Sequence, residues 1–320
     1  MTAAHAVPLY YDTDLGIDDS MALAYLLAGS EVDVRGIGTV SGNCSATQAA
    51  RNTIDVLGLA QRTDIPVAVG CTDWLAKAFD GGSPEVHGHN GVGDVTLPRS
   101  TAEPVAEHAV DLLIRLAHEH PGQLRVLAVG PFTNLAAALT KDPGIVDLVE
   151  SVVLMAGAAM VPGNMTPVSE ANVMHDPEAA AIVFAAPWKI AMAGLDVTMQ
   201  HLFEEHDEAA LLASGRPVAQ AIGSMIEGYA SFYINVLGRR AVALHDPLAA
   251  AIACGTVELT CAPLVDVVVD TTDGPGRGQT VCDLRGRFRG YPAQEGAHTR
   301  VVLEIAQPFA PELLSRILSL

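Results

Sequence analysis

The segment Asp12–Asp19, with the sequence DTDLGIDD, places four carboxylates within eight residues near the start of the chain. Two unit charges 4 Å apart repel by about 1 kcal/mol in water and by about 4 kcal/mol at an effective dielectric constant near 20. Four ionised carboxylates in one crevice therefore need a cation, a proton or strong hydrogen-bond donors. Hard divalent cations prefer oxygen ligands, so the motif predicts a metal site, whereas a single aspartate here would indicate only a helix cap.

The neighbouring sequence predicts how these carboxylates are positioned. The apolar run Val7–Tyr11 indicates a buried strand, and Met21–Leu27 indicates a helix. Asp12 and Asp14 are two residues apart and should project from one face of the strand. Gly16 permits a tight turn. The last two aspartates of the motif then fall in the first helical turn, where free N–H groups and the helix dipole favour anions.

Short β-branched runs alternate with helical patterns over most of the chain, which predicts an α/β fold with a mostly parallel central sheet flanked by helices. The expected strands are Val7–Tyr11, Val32–Thr39, Ile65–Val69, Leu124–Val129, Ser151–Met155 and Lys189–Ala193. The expected helices between them include Thr47–Leu59, Val105–His118, Asn134–Leu139 and Asp176–Ala185. In open α/β sheets, ligands bind beyond the carboxyl ends of the strands.

The order of elements changes after Asp196. Helices are expected from Glu208 to Cys254, followed by late strands and a terminal helix. These late elements are Leu264–Thr271, Gln279–Leu284, Arg300–Ile305 and the helix Pro311–Leu318. The glycine-rich segment Phe79–Arg99 is predicted to be a long loop, and loops of this length commonly serve as lids or binding elements. We find no linker or repeat, so we expect one domain over residues 1–320.

Composition excludes several classes of function. The chain has 320 residues and a formal net charge of −19, and half of it is apolar. This charge argues against nucleic-acid or anionic-membrane partners and is compatible with a small neutral or cationic ligand. We see neither a membrane span nor an export signal in Met1–Val7. Five scattered cysteines without CxxC spacing are expected to be reduced, which predicts a cytoplasmic protein.

Polar residues also follow other predicted strands. Asn43 comes after the second strand, where a short amide beside glycine suits either a turn or a ligand hydroxyl. The segment Gly163–Asn172 holds two amides and a carboxylate: Asn164, Glu170 and Asn172. Such groups could bind several hydroxyls of a sugar at once, and a polar surface loop is the alternative.

Two segments nearly repeat each other, and local sequence does not distinguish them. His245-Asp246-Pro247 and His175-Asp176-Pro177 both have the pattern of a helix start, with proline at the first helical position. Capping explains either aspartate. In the helix Gln220–Leu237, the aromatic residues Tyr229, Phe232 and Tyr233 indicate a core-facing stripe or, alternatively, a wall on which a flat ring stacks.

Together these motifs resemble the inosine–uridine nucleoside hydrolase family from about residue 7 to beyond residue 250. The residues that carry the resemblance are Asp12, Thr13, Asp14, Gly16, Asp18, Asp19, Asn43, Gly130, Pro131, Thr133, Asn134, Asn164, Glu170, Asn172, His245, Asp246 and Pro247. The resemblance implies a single α/β domain with a Rossmann-like core, a bound Ca²⁺ and a homodimer or homotetramer. It also implies hydrolysis of the N-glycosidic bond of ribonucleosides to ribose and free base.

The resemblance further implies a role for individual residues. Calcium would be held by Asp14, Asp19, Asp246 and the backbone carbonyl of Val129, which favours Asp246 over Asp176. Asp14 would also be the general base on the calcium-bound water, with Asp12 supporting the metal site from behind. The ribose hydroxyls would be bound by Asp18, Asn43, Asn164, Glu170 and Asn172. The base would lie near His245, which could protonate it, and near His87, Tyr229 and Tyr233.

This sequence departs from the family pattern at three positions. Leu15 stands where many members have proline, Ala171 replaces a frequent phenylalanine beside the sugar, and Thr13 replaces the cysteine of one purine-preferring subgroup. Two other classes of protein are alternatives that fit part of the sequence pattern. Asp12-x-Asp14 after a strand also begins haloacid-dehalogenase-type phosphatases, which have no use for the later polar residues. A non-catalytic, calcium-bound nucleoside-binding protein is the second alternative.

Overall fold

The structure is a computed structural model that describes residues 6–320. Two predictions concern Met1–His5: the start of the single domain and the absence of an export signal. For these five residues the predictions lie outside the part of the chain that the structure describes. The strands are β1 Val7–Thr13, β2 Val32–Thr39, β3 Val67–Val69, β4 Leu124–Ala128, β5 Val149–Met155, β6 Ile190–Ala193, β7 Leu202–Glu204, β8 Ala241–Ala243, β9 Leu259–Cys261, β10 Leu264–Val265, β11 Val267–Val269, β12 Thr280–Cys282, β13 Thr299–Val302 and β14 Glu304–Ile305.

Helices connect most of these strands. They are α1 Ile17–Ala28, α2 Ala46–Leu59, α3 Pro84–His87, α4 Ala109–Glu119, α5 Thr133–Lys141, α6 Ile145–Leu148, α7 Ala171–His175, α8 Pro177–Ala185, α9 Leu195–Thr198, α10 Glu205–Ala213, α11 Pro217–Leu237, α12 His245–Cys254 and α13 Ala310–Ile317. None of the helices in residues 6–320 combines the length and apolar character needed to cross a membrane.

One large sheet organises the chain. Over the described residues, eight strands pair in the order β10-β13-β6-β5-β4-β1-β2-β3, and every neighbouring pair is parallel except β10–β13. Helices cover both faces, as parallel sheets require. The predicted fold class, an α/β fold with a mostly parallel central sheet, is therefore confirmed.

The strand order reverses between β1 and β4. From β1 the chain proceeds to β2 and β3 on one side, and it then returns to place β4, β5 and β6 on the other side. Such a switch point leaves a crevice at the carboxyl ends of the two central strands. Asp12 and Asp14 lie at the end of β1, and Val129 follows the end of β4. The topology thus brings two sequence-distant candidate segments together.

Side chains of β1 fill cores on both sides of the sheet. Leu9 and Tyr11 belong to the core that includes α1, α2, α11 and α12, whereas Tyr10 belongs to the core beneath α4, α5 and α8. All three side chains are fully buried. Strand β1 is therefore fixed from both faces, and the aspartates that follow it start from a rigid support.

Several predicted boundaries were wrong, and long-range pairing explains them. Helix α4 starts at Ala109 rather than Val105, because Val105 forms a parallel bridge with Ala68 beside β3. The expected strand Leu264–Thr271 is divided into β10 and β11, which pair with different partners. Helix α1 begins at Ile17 with Gly16 as its N-cap, so Asp18 and Asp19 lie in its first turn, as predicted.

Candidate active site

Aspartates from two helices meet at the switch point. Carboxylate oxygens of Asp18, Asp19 and Asp246 lie within 4.8 Å of one another, and all three residues are buried. Asp18 and Asp19 occupy the first turn of α1, and Asp246 occupies the first turn of α12. Helices α1 and α12 pack together. We refer to Asp14, Asp18, Asp19 and Asp246 as the acidic cluster.

Local hydrogen bonds hold the carboxylates of Asp14 and Asp19 in place. Asp19 accepts the backbone N–H of Gly16 at 2.8 Å, an amide hydrogen of Asn43 at 3.1 Å and the hydroxyl of Thr13 at 2.5 Å. Asp14 accepts the backbone N–H of Asn43 through Oδ2 at 2.6 Å. Asn43 therefore fixes two members of the acidic cluster, in addition to lining the adjoining cavity.

Asp12 lies in β1, two residues before Asp14. Its Oδ2 accepts hydrogen bonds from the Tyr10 hydroxyl at 2.9 Å and from the Asn134 amide at 3.0 Å. Burial raises the pKa of Asp12 to about 7, and these two donors oppose that rise. Asp12 is therefore a buried carboxylate with one hydrogen-bonded oxygen.

Burial and mutual repulsion raise the pKa values of the cluster. Burial and the charge of Asp19 raise the pKa of Asp18 to about 8, and the same two causes raise the pKa of Asp14 well above its ordinary value. Burial followed by the charges of Asp18, Asp19 and Asp14 raises the pKa of Asp246. Like charges held together in this way are stable as anions only with a counter-charge.

The residues present fit a hard divalent cation. The donor set is oxygen-rich, which suits calcium or magnesium. One oxygen of Asp14, Oδ1, is buried and has no hydrogen-bond partner, which is costly unless something binds it. The carbonyl of Val129 accepts one hydrogen bond from Asn172 at 2.7 Å, and its second lone pair remains available to a ligand. The acidic cluster could therefore bind a metal ion.

The two His-Asp-Pro segments differ in the structure. Asp176 accepts the Ala179 N–H at 3.0 Å, the Leu75 N–H at 3.0 Å and the Thr133 hydroxyl at 2.7 Å. These bonds satisfy both of its oxygens, so Asp176 is a structural cap. Asp246, by contrast, faces the acidic cluster. The structure thus separates two segments that local sequence leaves equivalent.

The segment after β5 brings three predicted sugar-binding residues to the other side of the cluster. Glu170 is the N-cap of α7, where its carboxylate accepts the N–H groups of Asn172 at 2.7 Å, Gly157 at 2.9 Å and Val173 at 3.3 Å. Burial raises its pKa, and these backbone donors oppose the rise. Asn164 Oδ1 accepts the Ala171 N–H at 3.0 Å. Backbone N–H groups therefore hold the side chains of Glu170 and Asn164 in place.

His245 lies between two hydroxyl groups. The Thr198 hydroxyl is 2.7 Å from Nδ1, and the Tyr233 hydroxyl is 2.6 Å from Nε2. Burial lowers the pKa of His245 to about 4, so the imidazole is neutral near pH 7. Both ring nitrogens are thus connected to groups that can accept or donate a proton.

Aromatic side chains form one wall beside His245. The ring centroids of Tyr229 and Tyr233 are 4.9 Å apart, and those of Phe232 and Tyr233 are 5.4 Å apart. His87 adds its ring to this aromatic wall, 5.4 Å from Tyr229. Nδ1 of His87 accepts the N–H of Ile17 at 3.2 Å, at the start of α1. Burial and, to a lesser extent, the charge of His245 lower the pKa of His87 to about 3.

A cavity of about 830 Å³ joins these groups. The predicted residues that line it are Asp18, Asn43, His87, Val129, Asn164, Glu170, Asn172, Tyr229, Tyr233, His245 and Asp246. Asp14 and Asp19 are not among the lining residues and are 1 % and 0 % exposed. The structure therefore brings all the candidate site residues to one crevice or directly against it.

Several residues of this cavity were not predicted from the sequence. They are Leu195, Asp196, Met199 and Gln200, which line it from α9 and the turn after that helix. Asp196 follows the end of β6, just as Asn43 follows β2. That position was the available signal, because polar residues beyond strand ends face the crevice of a parallel sheet.

The fold and the cavity define an α/β protein with an acidic, metal-compatible site at a strand switch point. The sequence model of the family "Inosine-uridine preferring nucleoside hydrolase" matches residues 9–310. The chain therefore belongs to this family and is a nucleoside hydrolase. Both the family resemblance and the predicted class of enzyme are confirmed.

Individual relatives agree with this assignment. The chain is 39 % identical over 241 residues to "Probable uridine nucleosidase 2" of Arabidopsis thaliana, with 74 % of each chain covered. A solved plant nucleoside hydrolase superposes with a TM-score of 0.90 at 30 % identity, covering 98 % of this chain and 99 % of that one. A purine-preferring ribonucleoside hydrolase from Gardnerella vaginalis superposes with a TM-score of 0.89 at 31 % identity, covering 98 % of each chain.

Proposed function

We propose that this chain hydrolyses the N-glycosidic bond of ribonucleosides with Ca²⁺ at the acidic cluster. The observation that carries the proposal is the position of the cluster. It borders a cavity with Asn164, Glu170 and Asn172 on one wall and His245 with the tyrosines on another. A ribose and a base attached to it require these two kinds of surface side by side.

Asp14, Asp19, Asp246 and the carbonyl of Val129 would hold the ion. When bound, Ca²⁺ would neutralise the carboxylates and help to orient water and vicinal hydroxyls. It would also lower the pKa of Asp14, because an adjacent cation favours the charged form. Asp14 would then be ionised near neutral pH.

Asp14 is the proposed general base. In the reaction, the bond between the anomeric carbon and the base nitrogen breaks, and its electron pair leaves with the base. A water oxygen bonds to the anomeric carbon, and Asp14 Oδ1 accepts a proton of that water. Positive charge develops on the sugar, as in glycoside hydrolysis. Asp18 and Glu170, which line the cavity, would stabilise that charge.

His245 and Tyr233 are proposed to supply the proton that the departing base nitrogen takes up. Because the pKa of His245 is lowered to about 4, the imidazole would donate from a single ring N–H near pH 7. Its Nε2–H would pass a proton to the Tyr233 oxygen as the Tyr233 hydroxyl proton moves to the base nitrogen, and a proton from solvent would return to Nε2 after the base leaves. His87, Tyr229 and Tyr233 would flank the base.

Four further proposals accompany this function. Reduced cysteines are consistent with the cytoplasmic location proposed from the sequence, and all five cysteines are unpaired in the structure. The family resemblance supports a homodimer or homotetramer. We propose nucleoside catabolism or salvage as the context, with one domain over residues 1–320.

Steady-state hydrolysis of inosine, adenosine, uridine and cytidine tests the proposal, with and without a chelator and with Ca²⁺ restored. We expect ribose release that the chelator abolishes. Asp14→Asn should lower kcat by at least about 10²-fold if general-base catalysis has its usual size. Asp18→Asn removes a neighbouring carboxylate of the same cluster that accepts no proton. It should raise KM and lower kcat by less than Asp14→Asn does, because Asp18 would bind a ribose hydroxyl and stabilise the charge on the sugar.

Other outcomes would identify another function. An Asp14→Asn enzyme with near-normal kcat contradicts the general-base assignment. Nucleoside binding by calorimetry without ribose release from the wild type would indicate a non-catalytic nucleoside-binding protein. Phosphate release from a phosphomonoester would favour the phosphatase, although the family match argues against it.

A further inference from the structure

Asp196 makes an unusual pair of hydrogen bonds. Its Oδ2 accepts the backbone N–H of Ala159 at 2.7 Å, and its Oδ1 accepts the N–H of Met160 at 2.7 Å. Asp196 lies in α9, whereas its two partners follow β5, about 36 residues earlier in the chain. Although Asp196 lines the cavity, both of its oxygens are engaged with backbone. Each oxygen therefore already accepts one backbone N–H before any ligand enters.

The two N–H groups begin the segment that carries Asn164. This segment, residues 159–168, is called the sugar loop here. Its apolar side chains Met160, Val161 and Met165 are 47 %, 40 % and 50 % exposed. Met160 and Val161 lie in the first half of the loop, so packing of their side chains does little to hold it there. The charge-assisted bonds to Asp196 are the strong contacts of that half.

The far end of the sugar loop is fixed separately. Asn164 Oδ1 accepts the N–H of Ala171, and Met165 N–H donates to the carbonyl of Ser169 at 3.1 Å. The Ser169 hydroxyl donates to the carbonyl of Arg277 at 2.5 Å. Asn164 thus lies between an anchor at Asp196 and an anchor at Ser169. Its distance from the acidic cluster depends on both.

The helix that carries Asp196 also contacts the other wall. Thr198, two residues further on in α9, contacts Nδ1 of His245. Asp196 accepts N–H groups of a distant segment and none of α9 itself, so these two bonds do not cap this four-residue helix. Since α9 directly follows β6 of the central sheet, it can fix both walls relative to the sheet.

We propose that Asp196 is a positioning residue for ribose binding, acting through the sugar loop to place Asn164 against the sugar. The proposal rests on the function proposed above and extends it to a residue outside the predicted site. In this role, Asp196 changes the affinity for the nucleoside without itself touching the reacting atoms. Loss of Asp196 should therefore weaken nucleoside binding only when Asn164 is present.

A double-mutant cycle with Asp196→Asn and Asn164→Ala tests this dependence. Asp196→Asn keeps the side-chain shape but replaces one acceptor with an NH₂ group that faces a backbone N–H. We expect Asp196→Asn to raise KM about tenfold, with kcat changed much less, because a contact made equally in the ground and transition states is weakened. In the Asn164→Ala background, the same substitution should have almost no further effect.

Asp207→Asn provides a matched control. Asp207 is also 5 % exposed and accepts a backbone N–H, that of Glu204 at 2.9 Å, but neither residue lines the cavity. Hydrogen exchange measured by mass spectrometry gives a readout that does not depend on activity. Exchange over residues 159–168 should accelerate in Asp196→Asn and remain unchanged in Asp207→Asn.

Three results would overturn the inference: independent effects of the two substitutions that multiply in the double variant, a KM shift equal to that of Asp207→Asn, or unchanged exchange in the sugar loop. Failure of the proposed function would look different, because the wild type itself would release no ribose. In that event the double-mutant cycle is measured with dissociation constants for the nucleoside in place of KM. The hydrogen-exchange experiment needs no activity and is carried out in the same way.

Discussion

The hydroxyl of Tyr233 lies 2.6 Å from Nε2 of His245, and this contact connects the aromatic wall to the imidazole. If the pair supplies the leaving-group proton, Tyr233→Phe should lower kcat for inosine by about 10²-fold, the usual size of general acid catalysis. The same variant should hydrolyse 4-nitrophenyl riboside nearly as well as the wild type does, because 4-nitrophenolate leaves without protonation.

Phe232→Leu serves as the control for that comparison. Phe232 packs edge-on against Tyr233 but has no hydroxyl, so its loss should affect both substrates to a similar degree. An equal fall in both rates for Tyr233→Phe would assign Tyr233 to packing rather than to proton transfer.

Metal removal should separate Asp246 from Asp176. Ca²⁺ at 100 times its Kd would stabilise the fold by about 2.7 kcal/mol, so Tm should fall when a chelator is added to the wild type. In Asp246→Asn this Ca²⁺-dependent change should be largely lost. In Asp176→Asn, Tm should be lower overall, because a helix cap is weakened, yet the Ca²⁺-dependent change should persist. Thermal denaturation with and without Ca²⁺ measures both, and the reverse pattern would make Asp176 the ligand.

Gly42 should be required for the position of Asp14. A Cβ at Gly42 would lie 2.0 Å from Oδ2 of Asp14 and 2.7 Å from Cδ of Pro131, so Gly42→Ala must displace the carboxylate. We expect kcat to fall about 10²-fold, as a misplacement near 1 Å can produce. Gly274→Ala is the control, since a Cβ there meets only the Thr272 hydroxyl at 3.5 Å. Unchanged kcat in Gly42→Ala would contradict the role of Asp14.

His175 should limit stability in acid. Burial lowers its pKa from 6.5 to about 4, and its Nδ1 is buried without a partner. The stabilising contribution of the neutral ring is present above pH 6.5 and is lost as the pH falls to about 4. This difference in pKa corresponds to about 3 kcal/mol.

His175→Phe removes this titration and keeps a ring that can stack on Trp74, from which the His175 ring lies 5.0 Å away. The variant should therefore lose less stability than the wild type between pH 6.5 and pH 4. Urea unfolding at a series of pH values measures the difference. Parallel pH profiles for the two proteins would show that another group controls the acid transition.

The sequence was most informative where local chemistry determines the outcome. The DTDLGIDD segment identified the acidic cluster because four carboxylates so close together require a counter-charge wherever the chain folds them into a crevice. It could not separate Asp246 from Asp176, since both follow histidine and precede proline at a helix start. Only the packing of α12 against α1, a long-range contact, places Asp246 with the cluster.

Asp196 and Thr198 illustrate a second limit. Each makes its decisive contact with a residue about 36 or more positions away in the chain, and no local pattern encodes such a contact. Val105 shows the same limit in secondary structure. Its apolar neighbourhood has a helical pattern, but a bridge to Ala68 beside β3 removes it from α4.

The packing of α1 against α12 also bears on the free energy of the acidic cluster. Both helices direct their amino-terminal ends at Asp18, Asp19 and Asp246, and each such end carries roughly half a positive charge from aligned peptide dipoles. The folded chain thus contains its own partial counter-charge for the carboxylates. The two helix ends therefore lower the free-energy cost of burying these carboxylates even before an ion binds.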